Sequence, residues 1–321
     1  MKVIICGAGA MGTLFGTTLI NEGHDVIFLD VWQPLIYSKN KDPNATLKLD
    51  NSFKQIPINI YSIKDCPEIQ ADLLMMFVKS ASTATCLSSL TKRNVITSNT
   101  VVFTVQGGFD IPTTISKILN NNELLVTGCT ESYCKSYGPM MIENYSIEKT
   151  TVWPFKKPKD SKPLQRVIDI IEQCEKSGLK IKLTPQAITD RWKMILSYPA
   201  NNAVSAVSGL AYGDVWATDE GKNLLCEIAK EVATVAKLEG VDQELFNEEI
   251  AIQFVADIAK EKSEFPGTIL RDFKSKRITE IDATAGALLR KAEEKGVVLP
   301  YMKTVWSIMR LKEENYGNEY D

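Results

Sequence analysis

Short, nearly unbroken apolar runs dominate the first half of the chain. KVIIC (2–6), DVIFLD (25–30), DLLMMFVK (72–79), TVVFTVQGG (100–108) and LLVTG (124–128) lack the alternation of a one-sided strand. Such runs predict parallel strands covered on both faces. The stretches between them suit crossover connections, and MGTLFGTTLINEG (11–23) has helical spacing. TTVWPF (150–155) and KIKL (180–183), flanking a helical PLQRVIDIIEQCEKSG (163–178), extend the sheet. The pattern predicts a doubly wound α/β domain of Rossmann type over 1–184.

After TPQAITD (184–190) the period changes. Long amphipathic segments at 187–211, 219–239, 242–262, 277–295 and 300–315 predict an all-helical domain over 185–321. EFPGT (264–268) interrupts it with a Pro-Gly break. The polar KEENYGNEYD (312–321) predicts a frayed tail.

Composition narrows the classes. The 321 residues, 44% hydrophobic and 24% charged, describe an ordinary globular protein of two domains. A formal charge of −3, with acids and bases interspersed, gives no nucleic-acid surface. No apolar run approaches the roughly 18 residues that span a bilayer, so no membrane partner is expected. MKVIICGAGAMG reaches glycine at residue 7 and does not read as a signal peptide. Seven scattered cysteines without a CxxC pair predict reduced thiols in the cytoplasm. The one histidine, His24 in NEGHDV, reads as a turn residue. Its solitude argues against a metal site and against histidine-based acid–base chemistry.

The first chemical signal is CGAGAMG (6–12), in which Gly7, Gly9 and Gly12 stand between a strand and a helix. This is a turn that lets a pyrophosphate approach the backbone of Ala8, Ala10 and Met11 at a helix amino terminus. Asp30 ends the second strand, 23 residues after Gly7. A carboxylate there can bind both ribose hydroxyls of NAD and would repel a 2′-phosphate, so NADH is favoured. Lys79, at the end of the third run, is placed to contact the cofactor or an anionic substrate. In VQGG (105–108), Gly107 allows a nicotinamide or ribose to approach closely.

DRWKMILSYPANNAVSAVSG (190–209) puts Lys193 into an otherwise apolar helical run. Reducing a ketone creates an alkoxide that needs a proton or a cation. Desolvation of a lysine in apolar surroundings favours its neutral form and suits it to that role. A lysine that snorkels to the surface fits the spacing equally well. Ser197 and Asn201 follow at i+4 and i+8 on about the same face. Pro199 predicts a kink that leaves Asn202 open as a further candidate.

Taken in order, the amino-terminal GxGxxG, FVKS, VQGG, RWKMILSYPANNA and GTILRDFKSKRITEID together resemble the ketopantoate reductase family. The resemblance covers nearly the whole chain. It implies a Rossmann domain followed by a helical domain, reduction of 2-dehydropantoate to D-pantoate on the route to coenzyme A, and NADPH as an alternative to NADH. It implies Lys193 as general acid, Glu280 as an acid beside the cofactor that orients the reacting groups, and Lys79 near the cofactor. Asn201, Thr268 and, in place of an asparagine, Ser197 would bind substrate. Gly107 stands where the family has the asparagine of QNG, and Asp30-Val31 replaces the base that holds a 2′-phosphate. A homodimer through the helical domain is expected from the likeness and the apolar helices. An NAD-dependent D-2-hydroxyacid dehydrogenase of the same family, acting on branched 2-oxo acids, and a non-catalytic nucleotide sensor remain as alternatives.

Overall fold

A computed structural model describes residues 1–119, 122–156 and 161–316. The chain divides into two compact units. Met1–Gln106 with Ile111–Ala187 form the first, and Gly107–Asp110 with Ile188–Asp321 form the second. The boundary falls three residues beyond the 184 read from the sequence. The Gly107–Asp110 segment groups with the helical unit, which no change of composition announces.

In the first unit the strands are β1 (Lys2–Cys6), β2 (Asp25–Asp30), β3 (Asn44–Leu49), β4 (Ser52–Pro57), β5 (Asn59–Ser62) and β6 (Leu73–Met76). β7 (Val101–Thr104), β8 (Leu125–Thr130), β9 (Tyr133–Gly138), β10 (Met141–Ser146), β11 (Thr150–Pro154) and β12 (Ile181–Leu183) follow. The main sheet has the order β12-β11-β8-β7-β6-β1-β2-β5 and is parallel except where β11 runs against β8. Alternate residues of its central strands enter opposite cores. Val3, Ile5, Phe28, Met75 and Phe103 pack on one face. Ile4, Cys6, Leu29, Leu74, Met76 and Val102 pack on the other. Two-sided burial is why these strands are apolar throughout. Each large apolar side chain enclosed this way contributes about 1.5–3 kcal/mol.

A second sheet, β4-β3-β10-β9, has no counterpart in the sequence reading. Its strands SFKQIP and YCKSYG are polar and mostly exposed, so they carry no apolar run to detect. β5 is likewise short and half-exposed at the edge of the main sheet.

Helices joined by turns make up the second unit, with no strand among its described residues. Gln186–Ser197 continues through a π-helical turn, Tyr198–Asn202, into Ala203–Ser208. Proline has no N–H to continue the helical ladder. The kink expected at Pro199 is therefore taken up as a wider turn within a continuing helix. Asp219–Leu238 is capped by Thr218, whose hydroxyl accepts Gly221 N–H at 3.1 Å, with Asp219 and Glu220 in its first turn. Asn247 caps Glu248–Glu261 in the same way, at 3.0 Å from Ile250 N. Thr268–Lys274, a second π-helical turn Asp282–Gly286 running into Ala287–Glu294, and Pro300–Glu314 complete the unit. The last helix takes in residues 312–314 of the expected tail, and residues 317–321 lie outside the described residues. Among the described residues no helix is long and apolar enough to cross a membrane.

Candidate active site

The glycine turn is built by close backbone approach. Gly7 N–H donates to Leu29 O at 2.8 Å, and Gly7 has φ +101°. A β-carbon on it would lie 2.6 Å from Phe77 C and Val78 N, and one on Gly12 would lie 1.9 Å from Gly7 O. Nothing stands within 4 Å of where a Gly9 β-carbon would be. The helix Ala10–Asn21 makes its first backbone bond from Thr13 N to Gly9 O at 2.8 Å. The amides of Ala10, Met11 and Gly12 therefore have no intrahelical acceptor, and no acid sits in the first turn to oppose an anion. Open space over Gly9 and free amides at a helix start fit the pyrophosphate of a dinucleotide.

Asp30 is more engaged than its sequence position suggests. Its Oδ2 accepts Ala8 N–H at 2.7 Å, and its Oδ1 accepts Val31 N–H at 2.8 Å and Trp32 N–H at 2.9 Å. A carboxylate offers roughly four lone-pair sites, so one acceptor position on Oδ2 is left for a ribose hydroxyl. The two-hydroxyl grip expected from sequence is reduced to one position because the backbone has taken the others. Lys79 is exposed and lies three residues past β6, not at its end. Gln106 ties down that loop, donating from Nε2 to Val78 O at 2.6 Å and to Thr83 Oγ1 at 2.9 Å.

In the helical unit, Lys193 is half-buried, with its ammonium 5.8 Å from the centre of the Phe254 ring. The fully apolar setting read from its neighbours gives way to a partly open one, because Met194 and Ser197 are half-buried too. Ser197 turns its hydroxyl back to Met194 O at 2.7 Å, so its proton serves its own helix. Asn201 is 2% exposed, and its amide donates to Val255 O at 3.1 Å. Its Oδ1 is buried and has no hydrogen-bond partner among the described residues, and the π-turn shifts it off the regular i, i+4, i+8 face. Asn202 links two of the candidate residues, Ser197 and Thr268. Its Oδ1 accepts Thr268 N–H at 3.0 Å and Thr268 Oγ1–H at 3.2 Å, and its Nδ2 donates to Ser197 O at 3.1 Å. Burial pushes the Tyr212 phenol up, with Asn202 opposing. Thr268 is exposed at the start of its helix, and Glu280 is half-buried two residues before the second π-turn.

Two further residues went unread. Arg191, 8% exposed, donates from Nη2 to Gly108 O at 2.9 Å and to Phe109 O at 3.2 Å. With Phe109 N–H on Ala283 O at 2.9 Å, this fixes the segment containing Gly107. Tyr198 packs on Gly107, where a β-carbon would lie 2.5 Å from its hydroxyl oxygen. A side chain at 107 would therefore require the Tyr198 ring to shift. Burial first, then the Glu280 carboxylate, push the Tyr198 phenol up to about 12, against the pull of the Arg191 guanidinium. A second cation beside Lys193 in DRWK, and the NN doublet after proline, are the sequence signals that mark Arg191 and Asn202.

A parallel sheet with this glycine turn and a carboxylate ending its second strand, joined to a helical unit, defines the class of Rossmann-fold dinucleotide oxidoreductases. The family described as "Ketopantoate reductase PanE/ApbA" matches residues 3–156, and its "C terminal" companion matches 186–313. The chain belongs to the ketopantoate reductase family. It is 23% identical over 314 residues to a 2-dehydropantoate 2-reductase of Streptococcus pyogenes serotype M3, covering 98% of each chain. In fold it is similar to D-mandelate dehydrogenase solved with NADH and anilino(oxo)acetate, at TM-score 0.85, 21% identity and 98% and 99% coverage. It is similar also to a dimeric ketopantoate reductase from Staphylococcus aureus, at TM-score 0.78, 17% identity and 99% and 100% coverage.

Proposed function

We propose that this protein reduces the C2 carbonyl of a branched 2-oxo acid to a D-2-hydroxy acid, with 2-dehydropantoate as the first substrate to try. The observation that carries the reading is Lys193, a half-buried ammonium on the helix that leads into the Asn202 cluster. Bound on the Gly7–Gly12 turn, a nicotinamide dinucleotide supplies the hydride. Lys193 donates a proton to the C2 oxygen as negative charge develops there. On binding, Thr268, exposed at its helix start, turns its hydroxyl from Asn202 Oδ1 to the substrate carboxylate, while Asn202 keeps its hold through Thr268 N–H. Glu280 orients the reacting groups. Lys79 lies exposed beyond β6, where it can approach the cofactor. Asp30 favours NADH, because a 2′-phosphate would meet a carboxylate already fixed against the turn. The free cysteines fit a cytoplasmic enzyme. The dimeric Staphylococcus aureus relative supports a homodimer.

The likeness to D-mandelate dehydrogenase and the Tyr198 ring standing over Gly107 support a second reading, an NAD-dependent D-2-hydroxyacid dehydrogenase. Steady-state rates with NADH and NADPH against 2-dehydropantoate, 2-oxoisovalerate and 2-oxoisocaproate test both. Preference for 2-dehydropantoate with NADH is expected. Preference for the simpler oxo acids moves the assignment to the second reading, and a strong preference for NADPH overturns the role given to Asp30. No turnover of any of them leaves the nucleotide-sensing reading.

A further inference from the structure

Gly107 and Tyr198 are fitted to each other. Besides the hydroxyl oxygen, two ring carbons of Tyr198 would lie 2.9 Å from a β-carbon at 107. The chain on both sides of the contact is held, so the ring is what yields to a larger residue at 107. Gly107 leads the segment clamped by Arg191 and by Ala283 O, and Tyr198 opens the π-turn that Asn202 ties to Thr268. The absence of a side chain at 107 thus leaves no hole: a phenol stands in that space.

That phenol is half-buried, and its hydroxyl is not one of the buried groups closed off without a partner. Its O–H is a donor that a ligand or water can complete. Glu280 and Arg191 are near enough to act on it electrostatically, so it belongs to the same cluster as the proposed reactive groups. Held well above neutral pH, it is a donor and never an anion under working conditions.

We infer that the Tyr198 hydroxyl donates a hydrogen bond to the carboxylate of the bound 2-oxo acid, and that Gly107 is glycine because only glycine leaves the phenol in place. The inference rests on the proposed 2-oxo acid reading and adds to it a substrate-binding residue. Lys193 serves the C2 oxygen, Tyr198 serves the acid group, and Gly107 acts through Tyr198.

The test is calorimetric titration of oxamate, a non-reducible 2-oxo acid analogue, into the NADH-saturated full chain and its Tyr198→Phe and Gly107→Ala variants. Phenylalanine keeps the ring and removes only the donor, so a space-filling role would leave binding unchanged. A lost hydrogen bond to a charged group predicts oxamate binding weakened by about tenfold or more, with NADH affinity retained. In turnover, KM for the oxo acid rises more than kcat falls. Gly107→Ala displaces the ring and reproduces the loss, and the double variant is no worse than either single one. Oxamate binding equal to the parent's in Tyr198→Phe overturns the inference, as does a parent that does not bind oxamate. Turnover by the parent with an unaltered Tyr198→Phe variant sinks the tyrosine assignment alone, whereas a parent that reduces no 2-oxo acid sinks the underlying reading.

Discussion

The glycine turn of the first unit and the polar cluster of the second solve different problems. In the turn, backbone amides are the groups proposed to bind, and the sequence has only to supply residues that let the backbone come close: Gly7 against Phe77, Gly12 against Gly7 O. In the helical cluster, the proposed binding groups are side chains, and they come from four separated segments around Gly107, Lys193–Asn202, Thr268 and Glu280. The first arrangement is local and survives as a motif. The second depends on where each helix turn points, and one widened turn changes which side chains share a face.

The largest effect that sharpens this contrast is at Lys193. Lys193→Ala is expected to lower kcat by about 10²–10⁴-fold, the usual range for loss of a general acid, while NADH binding measured by fluorescence titration stays at the parent value. Gly7→Ala should do the reverse. Forcing a β-carbon into φ +101° against Phe77 costs about 1–3 kcal/mol from backbone strain alone, read as a lower Tm together with weakened NADH binding. If Gly7→Ala binds NADH normally, the turn is not the cofactor site.

Asn201 and Asn202 give a narrower comparison. Asn202→Ala releases Thr268 and should raise KM several-fold, about one hydrogen bond's worth, with a modest loss of stability. Asn201→Ala should lower Tm and leave KM unchanged, because its amide holds Val255 O in the core. The opposite pattern would support the substrate role that the resemblance implies for Asn201.

The smallest effect belongs to His24, far from any chemistry. Its Nδ1 lies 3.1 Å from the Met1 ammonium and its Nε2 lies 2.8 Å from Ser177 Oγ, which donates to Gln173 O. Burial first, then the Met1 ammonium, lower its pKa below 6.5, with Glu22 opposing. The fold thus prefers the neutral ring. The unfolded chain takes up the proton more readily, so this contribution is complete above pH 6.5 and is lost as pH falls through the lowered folded value. Tm should decline slightly over that range, and His24→Gln should flatten the decline.

These contrasts also explain what could be read from sequence. KVIIC and DVIFLD map residue for residue onto β1 and β2 because two-sided burial leaves an uninterrupted apolar run. SFKQIP and YCKSYG stayed hidden because an exposed sheet is held by backbone bonds that no residue type announces. At the site, Lys193 stood out as a cation among apolar neighbours. The i+8 spacing and the family resemblance point to Asn201, and Pro199 leaves Asn202 open because a proline denies the helix one N–H. Tyr198 was invisible for another reason: its meaning lies in an absent side chain 91 positions earlier.

The three amide bonds to Asp30 carry an engineering consequence. The carboxylate assigned to sorting dinucleotides is also a brace joining Ala8 to the start of the next connection. An exchange meant to welcome a phosphorylated ribose would remove the selector and loosen the cradle in one stroke. Retuning cofactor preference in this chain therefore calls for a paired change, one residue to greet the phosphate and another to restore the tether.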